Sequence, residues 1–263
     1  EWDNITMLDC ASGELACGTT GKGRMQEIDV LVAAAEYALA PKDLNGKQVL
    51  ITAGPTQETI DPVRYISNAS TGKMGYALVR ACLKRGAEVT LVSGPTHLSL
   101  NAWQAFCPLK VIDVQSSTNM CDATIQAFEH ADVAILCAAV ADFTPLQTED
   151  KKIKKLPGQE GMSIHLKTTT DIAASLGRNK QSHQVLVGFA LETHDEEANA
   201  ERKLQTKNLD MIVLNSLQDQ GAGFGVDTNK VTLIYSDGTK KDLPLQSKQE
   251  VADAIADAIV QRQ

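Results

Sequence analysis

The feature that most limits the fold is a recurrence of short apolar runs. "VLIT" (49–52), "EVTLVS" (88–93), "DVAILCAAV" (132–140), "QVLVGFA" (184–190) and "DMIVLNS" (210–216) are dominated by small and branched apolar residues and are too short for ordinary helices. Between most of them lie amphipathic helix candidates at 73–85, 117–130 and 195–207, and another follows at 248–262. Strands alternating with helices build a parallel sheet covered on both faces, because a parallel crossover needs a helix-length connection. The unbroken apolar character of "VAILCAAV" marks a central strand buried on both sides. Late in the chain "KVTLIYSDGTKKDLPL" alternates about Asp237-Gly238, a turn signal that predicts an antiparallel hairpin at the sheet edge.

The expected class is therefore α/β: a Rossmann-like three-layer parallel sheet with a C-terminal antiparallel edge hairpin. At 263 residues the chain can bury a real core, as one large domain or one domain with an appendage. The formal net charge of −8 argues against a nucleic-acid partner, since neutralising phosphates needs a basic face. It leaves room for a small anionic ligand held by a local cluster of donors. The six cysteines are scattered with no C-x-x-C pair and no histidines at ligand spacing, so free thiols and a cytoplasmic setting are expected. No run approaches ~18 apolar residues, so a membrane span is not expected. The first ten residues, "EWDNITMLDC", have neither the basic head nor the apolar run of a signal peptide. The chain opens at Glu1 and reads as a fragment of something longer. Residues 1–42 form a glycine-rich loop followed by a helix ending at Pro41.

Between the first strand and its helix lies "TAGPTQETIDPVRYISNASTGKMG" (52–75), where about twenty residues stand in place of the short glycine loop of a dinucleotide binder. Ser70 or Thr71 can cap the helix, and Gly72 lets backbone N–H groups approach a ligand. A helix start with free N–H donors is an anion site. Two familiar nucleotide motifs fail here. "STGK" lacks the hydroxyl residue after lysine that a P-loop requires, and there is no G-x-G-x-x-G. Asp61, Arg64 and Asn68 are polar groups in an apolar setting, with Pro62 fixing the backbone between them. They read as a substrate platform, or more plainly as stabilisers of the loop before a well-capped helix.

"CAAVADFTP" follows the buried strand, and its small residues let a flat ligand lie against the backbone at a carboxyl end. Asp142 there could hold a ribose hydroxyl or a metal ion; the plainer reading is a turn residue beside tight packing. The segment "PLQTEDKKIKKLPGQEG" (145–161) is read as an exposed, mobile loop. Its "KKIKK" (151–155) is either solvated surface or a set of cations for a polyphosphate. Lys203 and Lys207 stand four apart on one helix face, and "GFALET" places Phe189 at a strand end, suited to stacking on a base.

With these residues assembled, the chain resembles the phosphopantothenate–cysteine ligase family, the synthetase half of a bacterial bifunctional protein of coenzyme A biosynthesis. The likeness rests on "ITAGPTxExIDPVRYISNxSxGKMG", "AAVADF.P", "KKIKK", "GFALET" and "KxxxKNLDMIVLN", and it covers residues 44–263. Residues 1–43, with "GELACGTTGKGRM", look like the end of a flavin-dependent decarboxylase domain plus a linker. Cys17 matches that domain's proton-donating cysteine. The FMN-binding body belongs to the missing part, so no decarboxylation is expected of this fragment.

The resemblance implies a two-step reaction. The carboxylate of 4′-phosphopantothenate attacks the α-phosphate of CTP, giving an acyl-cytidylate and pyrophosphate. Cysteine's amine then displaces CMP. It ties Lys152 to cytidylate formation, Asn68 to the second step and Arg64 to the substrate platform. Around the nucleotide it sets Gly54, Ser70, Thr71 and Gly72. It adds the backbone of Leu136, Cys137 and Ala138, then Thr170, Asp171, Ile172 and Ala173, and finally Phe189, Lys203 and Lys207. Asp142 lies near the ribose or a Mg²⁺ ion. Where the family reads "NPDI", this chain reads "TTDI" (169–172), so contacts needing that Asn or Pro fall away while backbone contacts survive. A homodimer is implied, and a larger assembly when fused to the decarboxylase. The rival readings are an NAD(P)-dependent reductase and a non-catalytic nucleotide-binding module.

Overall fold

The apolar runs become strands because their β-branched side chains pack on a pleated surface and alternate between two faces. The computed structural model describes residues 5, 7–155, 157–158, 160–192, 194–216 and 225–262. A hairpin, β1 (Ala11–Glu14) and β2 (Thr20–Arg24), precedes helix α1 (Ile28–Leu39). Then follow β3 (Gln48–Ala53), the hairpin of β4 (Gln57–Asp61) and β5 (Arg64–Ser67), α2 (Lys73–Lys84), β6 (Glu88–Ser93) and α3 (Asn101–Gln104). Next come β7 (Leu109–Asp113), α4 (Ser117–Phe128), β8 (Val133–Leu136), β9 (Phe143–Pro145), β10 (Leu166–Thr168) and α5 (Ile172–Asn179). The chain continues with β11 (Val185–Glu192), α6 (Glu196–Thr206), β12 (Met211–Ser216), β13 (Thr228–Tyr235), β14 (Lys240–Ser247) and α7 (Lys248–Val260).

Eight strands form one sheet in the order β14-β13-β12-β11-β8-β3-β6-β7. The six from β12 to β7 run parallel, and β13 and β14 add the antiparallel edge expected from Asp237-Gly238. Strand side chains divide strictly between two cores. Val49, Ile51, Val133, Val187, Met211 and Val213 pack on the side of α2 and α7. Leu50, Ala134, Leu186, Ile212 and Leu214 pack on the side that carries α4, α5 and α6. Helix α2 can lie close on β3 because residue 75 is glycine: a Cβ there would come within 2.4 Å of the Ala53 Cβ.

After β3 the chain adds β6 and β7 on one side, then crosses back to add β8, β11 and β12 on the other. Strand order therefore reverses between β3 and β8, and such a reversal opens a crevice at the carboxyl ends of those strands.

Several expectations need correction. The run 132–140 is strand only to Leu136; beyond it a single bridge joins Ala139 to Pro55. The long stretch after β3 is not all loop, since half of it is the β4–β5 hairpin. Edge strand β7, helix α5 and the β1–β2 hairpin add to the elements that the sequence pattern predicts. The segment 145–161 is pinned at its middle, where the Ile153 N–H donates to Asp61 Oδ2 at 3.0 Å. Leu156 and Gln159 of that segment, Thr193 of "GFALET", and residues 1–4 and 6 lie outside the described residues. Among the described residues no helix is long and apolar enough to cross a membrane.

Candidate functional site

The crevice is built on the backbone that leaves β8. The Cys137 N–H donates to Thr52 O at 3.2 Å, and the Ala138 N–H to Thr52 Oγ1 at 3.2 Å. The Ala139 N–H reaches Gly54 O at 2.9 Å, and the Ala141 N–H the buried Thr56 Oγ1 at 3.0 Å. Residues 137–141 are thus fastened to β3 and its extension. With the amides of Cys137 and Ala138 spent on β3, backbone recognition at those two positions runs through carbonyls. Asn68 bridges to the same stretch, its Nδ2 donating to the carbonyls of Ala139 and Val140 at 3.1 Å each. Its Oδ1 has no protein partner among the described residues.

On the α5–α6 face this backbone borders a cleft of about 590 Å³. Leu136, Ala138 and Asp142 form one wall, Thr170, Asp171, Ile172 and Ala173 another, and Phe189, Lys203 and Lys207 a third, with Asn68 at the rim. Thr169 ties the first wall to the second: its hydroxyl donates to Ala141 O at 2.7 Å and its N–H to Asp142 O at 2.9 Å. Asp171 caps α5 by accepting the Ala174 N–H at 2.9 Å. Burial would raise its pKa, but the Ala174 N–H and Lys207 outweigh that and hold it below the ordinary carboxylate value. Lys207 pairs with Asp171 at 2.9 Å, and Lys203 with the mostly buried Glu192 at 2.6 Å. Sequence reading missed Glu192, because nothing local in β11 announces a partner on α6. Phe189 is not at a strand end, for β11 runs three residues further, to Glu192.

On the α2–α7 face a smaller pocket shares Ala138, Ala139, Phe189 and Leu191 with the cleft. Ser70, Thr71, Gly72 and Cys137 line it. The cap of α2 differs from expectation. Gly72 itself is the N-cap, at φ 79° in the left-handed region, with no side chain accepting from the helix. Ser70 Oγ accepts the Gly72 N–H at 3.3 Å, one residue before the helix. A left-handed residue is easiest for glycine, and leaving the first turn uncapped keeps its N–H groups available. Gly54, also at positive φ, lies behind this turn against Gly94 and outside both pockets.

Arg64 and Lys152 stand apart from the cleft. Asp61 is 1% exposed and accepts from the N–H groups of Val63, Arg64 and Ile153 at 2.8, 3.1 and 3.0 Å. Burial would raise its pKa, but these donors and the guanidinium together lower it. Arg64 Nε pairs with Asp61 Oδ2 at 3.1 Å and its Nη2 donates to Ile153 O at 3.2 Å. Asp61 is thus a strut and not an open platform, while Arg64 borders a separate cleft with Lys154 and Lys155. Lys152 is exposed, and none of the four lysines at 151, 152, 154 and 155 has an ion pair among the described residues. Cys17 is exposed in the β1–β2 turn; a hydrogen bond with Thr19 at 3.1 Å lowers its thiol pKa. No group of three or more His, Cys, Asp or Glu is arranged for a metal among the described residues. Asp142 is the acid that lines the cleft beside Asp171.

The family model described as "DNA/pantothenate metabolism flavoprotein C-terminal domain" matches residues 44–262. A protein of an unknown prokaryotic organism, named cysteine/cysteine sulfinic acid decarboxylase, is 52% identical over 251 residues, covering 94% of this chain and 68% of that protein. The coenzyme A biosynthesis bifunctional protein CoaBC of Bacillus subtilis (strain 168) is 47% identical over 260 residues, 98% of this chain but only 62% of that relative's length. A crystal structure of the C-terminal domain of a CoaBC protein superposes with a TM-score of 0.69 at 40% identity, covering 84% of this chain and 97% of that domain. The chain belongs to the DNA/pantothenate metabolism flavoprotein C-terminal domain family.

Proposed function

We propose that the chain is a ligase that joins 4′-phosphopantothenate to cysteine at the expense of CTP. One observation carries the reading. Residues scattered from Asn68 to Lys207, singled out by motif, converge on a single cleft at the strand reversal. A carboxylate is a poor acyl donor, so it must first be activated. A carboxylate oxygen bonds to the α-phosphorus as the α–β anhydride breaks and pyrophosphate leaves. The amine then bonds to the acyl carbon, CMP departs with the bonding pair, and the amine loses a proton. Bringing two anions together requires cations and donors in a partly dry site.

In this reading Phe189 stacks the base, with Lys203 and Lys207 beside it. The acid partners Glu192 and Asp171 hold both ammonium groups in place. Asn68, anchored through its amide nitrogen, positions the acyl group with the rest of its side chain. Lys152 swings from its exposed segment onto the phosphates. One acid beside a phosphate cleft suits Mg²⁺, which keeps several waters and takes one or two carboxylates plus substrate phosphates. Asp142 would hold it, and the ion would neutralise phosphate charge. The exposed side chains of Val63 and Tyr65 near β4–β5 and of Phe143, Leu146 and Leu166 near β9–β10 favour a homodimer through these hairpins. Residues 1–43 fit the end of a preceding decarboxylase domain.

The test is pyrophosphate release with CTP, ATP, GTP or UTP, with and without 4′-phosphopantothenate, alongside CO₂ release from cysteine. CTP-specific release that requires phosphopantothenate is expected. Release with no such dependence, or CO₂ from cysteine alone, would overturn the reading.

A further inference from the structure

The backbone that lines the cleft leaves the sheet at Leu136, where β8 ends and its register with β11 stops. Past that point its position depends on the chain that extends β3. Backbone pairing runs only to the bridge between Pro55 and Ala139, with the Ala139 N–H on Gly54 O at 2.9 Å. The next parallel rung would carry the Ala141 N–H to the carbonyl of Thr56. That carbonyl instead accepts the Ser67 hydroxyl at 2.7 Å. The Thr56 hydroxyl takes the Ala141 N–H in its place, at 3.0 Å.

Thr56 thus holds two segments at once, one through each of its oxygens. On the hairpin side it grips Ser67, whose neighbour Asn68 donates to the carbonyls of Ala139 and Val140. On the cleft side it grips Ala141, whose neighbour Asp142 lines the cleft. The Thr169 hydroxyl on Ala141 O, at 2.7 Å, completes the hold on that residue. Thr56 is itself fixed through the residues that follow it. The Gln57 N–H donates to Gln115 O at 2.8 Å, and the buried Glu58 carboxylate accepts the Ser117 N–H at 2.8 Å. Both contacts tie β4 to the start of α4. At 0% exposure Thr56 touches no ligand, so any effect it has on the reaction passes through its neighbours.

We propose that Thr56 is a positioning residue of the reaction, setting the gap between Asn68 and Asp142. The inference rests on the ligase reading, in which Asn68 handles the acyl group and Asp142 stands at the nucleotide. The bonds from Asn68 to this backbone are exposed and compete with water, whereas the bond from Ala141 to Thr56 is buried. The buried bond therefore fixes the spacing, and the exposed ones follow it. Alignment of a carboxylate with an α-phosphate tolerates little error, since a misplacement of about 1 Å can cost about 10²-fold. Phe189, Lys203 and Lys207 come from β11 and α6 and make no contact with this pin. Loss of the Thr56 hydroxyl should therefore disturb alignment more than nucleotide binding.

The experiment compares Thr56→Val, which keeps the shape and removes the hydroxyl, with Thr56→Ser, which keeps the hydroxyl. In the valine variant kcat for CTP-dependent pyrophosphate release should fall about tenfold, the value of one buried N–H left without its acceptor, while KM for CTP moves less than about threefold. The serine variant should recover kcat to within about twofold of the wild type, because the acceptor is back. A valine variant with wild-type kcat, whatever its KM, or a serine variant as slow as the valine one, would overturn the proposal. The second arm needs no turnover. The side-chain amide resonances of Asn68 in the free protein should shift in Thr56→Val and return in Thr56→Ser. Asn68 resonances unmoved by the valine change would also overturn it, since a merely local bond moves Ala141 alone. If the wild-type protein releases no pyrophosphate, the ligase reading fails by itself, and the resonances still decide whether Thr56 sets the place of Asn68.

Discussion

Two insertions crown the carboxyl ends of the strands, and they meet at Ile153. In the β4–β5 hairpin the buried charge is spent: the Asp61 carboxylate takes three backbone N–H groups and the Arg64 guanidinium. In the facing segment the lysines at 151, 152, 154 and 155 have no ion pair among the described residues. The contrast teaches how such a site divides its labour. A saturated carboxylate fixes where the second segment is anchored, and the unspent cations on that segment remain available to a polyanion. Charge placement alone would not separate the two; the hydrogen-bond partners do.

Substitutions on either side should therefore fail differently. Lys152→Ala should cost the most activity, about 10²-fold or more in cytidylate formation, as loss of a phosphate-facing donor does. Its melting temperature should match the wild type, since the side chain is exposed. A variant with full activity would remove the segment from the mechanism. Gly75→Ala tests the frame instead. The added methyl would overlap Ala53 Cβ, so α2 must lift from β3 at a cost of about 2 kcal/mol, read by denaturant unfolding.

Asp61→Asn sharpens the comparison through pH. The folded pKa of Asp61 is depressed, so its contribution is complete above the unfolded value of about 3.9 and disappears as pH falls through the lower folded value. The gap in melting temperature between wild type and variant should be full at neutral pH and close in acid. A gap independent of pH would mean the carboxylate's charge is idle. The smallest effect belongs to a remote cap. Ser247 forms a capping box with Glu250 at the start of α7, and Ser247→Ala should cost about 1 kcal/mol with turnover unchanged.

How much of this was legible in the sequence depends on distance along the chain. The parallel frame was, because β6, β11 and β12 carry their own apolar periodicity and Asp237-Gly238 marks the edge turn. Strand β7 was not: "LKVID" is short and half exposed at the sheet edge. Nor was α5, whose eight residues include a glycine and depend on the Asp171 cap. Lys203 and Lys207 could be placed on one face from their spacing. Their partners Glu192 and Asp171 could not, since those contacts join separate elements. The sequence marks Gly72 as a point of close approach, yet its role as the cap itself depends on a backbone angle that no residue pattern supplies.

The central claim is that activated acid and nucleotide meet at the reversal between β3 and β8. A crystal structure of this chain grown with CTP and 4′-phosphopantothenate tests it most directly. The account predicts the base against Phe189, the phosphates between Asp142 and the Asn68 rim, and Lys152 drawn inward. A nucleotide bound away from both Asn68 and Asp142, at the other end of the strands, would contradict it.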